Sequence, residues 1–168
     1  MGNLSTELRS MARGAGLCNK WFGEWKDNTE TDILFDMYKR GIDFSISHDW
    51  ISNDFIKRNW SKEVLQRNNI FVDDINISCE SPKGTIIING DSNILISFSD
   101  YDAADVYVRH NSKVHFTINS HARIMINVYD NASIVLDNSD SAIVSVFNHS
   151  NPSNVKDIGS IKSNITQY

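Results

Sequence analysis

From residue 84 to residue 150 the chain repeats one pattern every ten residues: apolar and polar positions alternate, and a short polar run follows. Val114, Ile124, Ile134 and Val144 form one apolar series, and Phe116, Ile126, Leu136 and Val146 form another two residues on. Asn111, His121, Asn131, Ser141 and Asn151 mark the gaps. Such alternation is what a half-buried strand requires. Strands and turns recurring at a fixed period predict a stacked β-solenoid. Because ten is even, parity survives from unit to unit. Ile86, Ile88, Ile94, Ile96, Phe98, Val106, Val108, Val114, Phe116, Ile118, Ile124, Ile126, Val128, Ile134, Leu136, Val144 and Val146 all point the same way. A slip of one residue would turn every one of them to solvent. Each contributes roughly 1.5–3 kcal/mol when fully buried, so together they can hold a core once chain entropy is subtracted.

The turns are built from Asn, Ser, Asp, His and Ala, which tolerate tight corners. Ala104, Ala122, Ala132 and Ala142 are expected where a corner leaves little room. The interval from Ile94 to Val106 is twelve and that from Val106 to Val114 is eight, which predicts one corner displaced by two residues. Ten residues supply one strand and one corner. A rung then holds two strands in about 20 residues or three in about 30. The six-residue left-handed helix of acyltransferases does not fit the pattern.

Ahead of the repeat, residues 1–69 carry helical spacing instead. Ser5 is expected as an N-cap, with Leu4, Leu8, Met11 and Ala12 on one face and Gly14 at the end. Thr29 and Asp32 resemble a capping box ahead of a stripe of Ile33, Leu34, Met37 and Tyr38, with Gly41 closing the helix. The segment from Ile42 to Trp50 reads as strand or helix. Ser52 and Ser61 are the next expected caps. All four tryptophans, Trp21, Trp25, Trp50 and Trp60, lie here, and are read as the core of a small domain or as an aromatic contact surface. The fold class is therefore α+β: a helical N-terminal region over 1–69, a β-solenoid over 70–150, and a tail over 151–168 that adds one last strand near Val155–Ile161 and then frays. The helical region is the expected cap for one solenoid end, which leaves the far end open to self-association.

Composition narrows the partners. Of 168 residues 22% are charged, with net charge −5. Residues 1–69 hold ten basic and ten acidic groups; residues 70–168 hold six and eleven. An acidic solenoid argues against nucleic acid as partner. No apolar run is long enough to span a membrane. Two distant cysteines, Cys18 and Cys79, make no disulfide framework. The expected setting is the cytoplasm of a bacterial host, with a virion location as the alternative.

If rungs hold 20 residues, positions 20 apart stack about 4.8 Å apart. Outward columns are then Arg109–Tyr129–His149, Tyr107–Asn127–Phe147 and Leu95–His115–Val135, and corner columns are His110–Asp130–Ser150 and Asp100–Ser120–Asp140. Tyr107, Arg109, Tyr129, Phe147 and His149 form a candidate strip for a protein or carbohydrate. His110 and Asp130 are a candidate acid–base or metal pair, set against a plain polar corner ladder. The five histidines show no metal-ligand spacing, so no metal and no cofactor is expected. Exposed Leu95, Met125, Val135 and Phe147 suggest that one face is covered. No catalytic constellation stands out.

The stretches Glu7–Cys18, Tyr38–Trp50, Gly84–Gly90, Asp105–Ser112 and Asn127–Ser133 resemble small helical-cap plus β-solenoid proteins encoded in prophages and mobile regions of gut bacteria. The resemblance covers most of residues 4–150. It implies a phage context and carries no catalytic residues. The leading functional expectation is a non-enzymatic binding or assembly protein with the solenoid as a rigid surface. One alternative is an oligomer sequestering a small anionic signalling ligand through Arg109, Lys113 and Arg123. Another is a small carbohydrate-active enzyme.

Overall fold

A computed structural model describes residues 4–26, 29–139 and 141–168. The chain forms two compact units, Met1–Ile56 and Lys57–Tyr168.

The first unit contains α1 (Leu4–Gly14), α2 (Asn19–Glu24), α3 (Thr31–Arg40), α4 (Ile42–Ser47) and the start of α5 (Asn53–Asn59). Its core gathers Leu8, Ala12, Leu34, Phe35, Tyr38, Ile42 and two of the tryptophans, Trp25 and Trp50. Those two rings meet edge to face, 6.0 Å apart. Ser5 lies inside α1 and does not cap it. Its buried hydroxyl donates to the Lys26 carbonyl at 2.9 Å and accepts from Trp25 Nε1 at 3.1 Å, tying α1 to the segment after α2. The expected capping box also gives way. Glu30 takes the N-cap position of α3 with no side-chain bond, while Thr29 Oγ1 donates to the Lys26 carbonyl at 2.6 Å. Ser52 caps as expected, accepting from the Phe55 N–H at 3.3 Å. The ambiguous segment folds as α4.

The helical reading of residues 1–69 does not coincide with the compact units. The end of α5 and all of α6 (Lys62–Arg67) fold with the solenoid. Ser61 accepts from the Val64 N–H at 3.4 Å and opens α6, which packs against β1 (Ile70–Val72). Asp74, buried, fastens this junction: it accepts from the Val72 N–H, from Gln66 Nε2, and from Lys62 Nζ at 3.0 Å.

The strands that follow are β2 (Ile75–Glu80), β3 (Gly84–Asn89), β4 (Asn93–Phe98), β5 (Ala103–Val108), β6 (Lys113–Ile118), β7 (Arg123–Val128), β8 (Ser133–Asn138), β9 (Ile143–Asn148), β10 (Val155–Asp157) and β11 (Asn164–Gln167). They wind into two parallel sheets, β1-β3-β5-β7-β9-β11 and β10-β8-β6-β4-β2. Ile86 aligns with Val106, Val106 with Ile126, and Ile126 with Val146, so a rung is two strands and 20 residues. This resolves the choice between 20 and 30. All seventeen inward residues named from parity are buried, none more than 3% exposed. They form one core between the two sheets.

No corner is displaced. Ala104 aligns with Gly84 on one side and Ile124 on the other, filling the first inward place of β5 with a small side chain. It is therefore a strand residue, whereas Ala122, Ala132 and Ala142 sit at corners as expected. Each of the five corners between β3 and β8 turns on one residue in the left-handed region: Gly90 (φ 74°), Asp100 (φ 51°), His110 (φ 59°), Ser120 (φ 58°) and Asp130 (φ 58°). Short polar side chains tolerate that conformation better than apolar ones, which is why the period shows as polar residues. Gly90 is required on a second ground, because a Cβ there would run into the Asp73 side chain.

The tail is more ordered than its composition predicts. It adds two strands, not one. After a 3-10 turn over Pro152–Asn154, β10 pairs with β8 and β11 with β9. No described helix is long and apolar enough to cross a membrane.

Candidate functional site

The residue after each of β5, β7, β9 and β11 donates its backbone N–H to the rung below. Arg109 bonds the Ile88 carbonyl, Tyr129 that of Val108, His149 that of Val128 and Tyr168 that of Asn148. This ladder fixes the four side chains in one column at the edge of the six-stranded sheet. Tyr129 and His149 stack face to face with centroids 4.5 Å apart and planes 1° apart, and Tyr168 continues the stack on His149 at 4.5 Å and 12°. Phe147 stands beside the stack, 6.4 Å from Tyr168. The rings cover one another's facing sides, so along its length the column offers ring edges and polar tips outward. His149 and Tyr168 are exposed; Tyr129 and Phe147 are half-buried.

Of the five residues expected in the strip, Tyr129, His149 and Phe147 are drawn together. Tyr107 is in the Phe147 column but is separated from it by Asn127. Arg109 occupies the foot of the column and is only 5% exposed, with Nε 3.8 Å from Asp130 Oδ2. Burial takes it out of reach of a ligand at the surface. Tyr168 is the member that sequence spacing misses. Its strand is set 19 residues from β9, not 20, since Gln167 aligns with Asn148.

His110 and Asp130 are neighbours in one corner, and both serve the backbone. His110 Nδ1 accepts from the Gly90 N–H at 3.1 Å, and Asp130 Oδ2 accepts from the His110 N–H at 2.9 Å. An imidazole nitrogen that accepts carries no proton, so this geometry places the His110 proton on Nε2. Beside them runs an amide ladder, with Asn131 Nδ2 donating to Asn111 Oδ1 and Asn111 Nδ2 to Asp91 Oδ1. The corner is a continuous polar ladder along the stack. In the opposite corner Tyr101 stacks on His121 at 5.2 Å, a pair the spacing argument does not single out. Asp140 of the Asp100–Ser120 column lies outside the described residues.

Among the described residues no group of three or more His, Cys, Asp or Glu side chains is arranged to hold a metal ion. Cys18 and Cys79 are free thiols. Burial, with Glu80 alongside, pushes the Cys79 thiol up, which makes it a poor nucleophile. Arg109, Lys113 and Arg123 do not converge: Lys113 opens β6 in one sheet, Arg123 opens β7 in the other, and Arg109 follows the far end of β5. No protein-family model, curated protein or solved structure matches the chain.

Proposed function

We propose that the chain is a non-enzymatic binding or assembly protein, of the prophage-borne kind its sequence resembles. The partner is a protein held along the Tyr129–His149–Tyr168 column and the adjoining Phe147. The observation that carries this reading is the continuous ring stack, fixed at every rung by a backbone hydrogen bond. Aromatic side chains on rigid strands offer large contact area at small entropic cost, and such residues dominate binding energy at interfaces. The polar corner ladder supplies no free acid–base pair to favour catalysis. The anionic-ligand reading loses its anchor in the burial of Arg109.

The test compares two immobilised proteins against host lysate by quantitative mass spectrometry: the wild type, and a Tyr129→Ser/His149→Ser variant whose circular dichroism matches it. One protein is expected to be retained by the wild type and by a Leu95→Ser control on the other sheet, and depleted more than tenfold on the double variant. Identical retention by all three would sink the reading.

A further inference from the structure

The two ends of the solenoid are finished differently. At the N-terminal end β1 is buried at all three positions, with α6 packed on it. Its companion β2 carries a register shift between Ile75 and Ile77, with Asn76 in the left-handed region (φ 59°). A covering helix and a bulge are two of the ordinary ways to stop an edge strand from pairing. The C-terminal end has neither on β11. All four of its residues are exposed, its register with β9 is unbroken, and Asn164–Tyr168 contains no proline and no charged side chain. Ile165 aligns with Val146 in an inward core column, yet it is 45% exposed because no rung covers it. Ile158 (50%) and Ile161 (42%) are exposed in the same closing segment.

Strand geometry says which groups are open. Tyr168 donates its N–H back to the Asn148 carbonyl. Alternation along a parallel strand therefore turns the backbone of Asn164 and Thr166 toward β9, and that of Ile165 and Gln167 away from it. Within the chain every rung but the last is covered by the rung that follows it. The occupant of the last one must bring a short strand with two outward residues, an apolar contact for Ile165 and no net charge. The same edge of a second copy satisfies all three, since an antiparallel pair of identical strands is self-complementary under a two-fold axis.

We propose that two copies of this chain associate end to end through β11, antiparallel, with the two-fold axis at Thr166. Ile165 then exchanges backbone hydrogen bonds with Gln167 of the second copy. The two Thr166 side chains face each other as a non-hydrogen-bonded pair, Cα atoms about 4.5 Å apart. That spacing lies within the range a disulfide bridges.

Sedimentation equilibrium of the full chain is expected to show a dimer at micromolar concentration. Ile165→Lys is expected to weaken association at least tenfold, while Leu95→Lys, an equally exposed apolar position on the other sheet, leaves it unchanged. In a Cys18→Ser background, Thr166→Cys is expected to cross-link into a covalent dimer under mild oxidation. The proposal is overturned by a wild type that sediments as a monomer, by a dimer that survives Ile165→Lys, or by Thr166→Cys protein that stays uncross-linked while still folded.

Discussion

At the third inward position of successive strands Ile88, Phe98, Val108, Ile118 and Val128 give way to Asn138 and Asn148, all fully buried. The two amides differ in what surrounds them. Asn148 Oδ1 accepts from the Ser150 N–H and hydroxyl, and its Nδ2 donates to Gln167 Oε1 at 2.7 Å. Gln167 passes the link on to the Ser150 carbonyl. This network pins β11 to the rung beneath it. Neither amide atom of Asn138 has a partner among the described residues, and an unpaired buried polar group costs about 1–3 kcal/mol. Asn138→Leu is therefore expected to raise the melting temperature by about 3–8 °C, and Asn148→Leu to lower it by leaving Ser150 and Gln167 unpaired. Thermal denaturation of the two variants checks both signs. Opposite shifts are the point: a uniform loss would mean that the position merely resists bulk. Gly159 explains why Asn138 is so enclosed, since even a Cβ there would run into the Asn138 backbone.

At the scale of elements, the junction of helix and solenoid rests on two neighbouring aspartates with different exposure. Asp74 is buried and accepts three bonds, so Asp74→Ala is expected to cost about 3 kcal/mol, read as a lower urea midpoint. Asp73 is more open. Partial burial raises its pKa, but the Lys57 ammonium and the Asp91 N–H outweigh this and hold it below the ordinary carboxylate value. A group depressed in the folded state stabilises above its unfolded pKa, and loses that contribution as pH falls through the folded one. Stability from Asp73 is thus complete at neutral pH and declines below about pH 4. Lys57→Met is expected to flatten that acid limb of the urea midpoint. An unchanged acid limb would show that Lys57 does not hold the charge.

How much of this could be read in advance follows from the physics of each element. The strands were legible because one side chain in two must face the core, and that constraint repeats without reference to anything distant. The rung size was not, since parity is the same for two strands or three. Ser5 was misread as a cap because its role is set by Trp25 and Lys26, some twenty residues away. The Arg109–Tyr129–His149 column was legible from the 20-residue spacing, but the burial of Arg109 was not, and Tyr168 was hidden by the one-residue change of register at β11.

Across the whole solenoid, each rung touches only the one above and the one below, so stability is expected to be graded along the axis. Hydrogen exchange should be slowest in β5 to β8, whose strands are paired on both sides, and fastest in β10 and β11. At concentrations where end-to-end pairing is populated, β11 alone should gain protection. Uniform exchange along the axis would instead mean that the solenoid opens as one unit.

The 20-residue register also makes the protein an object with a natural unit of editing. Excising one full rung between equivalent corners, such as residues 109–128, would join Val108 to Tyr129, and duplicating it would join Val128 to a second Arg109, in both cases with every inward residue still inward. The length would change by one strand spacing, about 4.8 Å. A ten-residue edit keeps parity too, yet it exchanges the sheets: everything beyond the cut moves from one face to the other. Made between Tyr129 and His149, such an edit would break the ring column although no ring had been altered. Length in this chain is therefore counted in whole turns, and half a turn is a change of address.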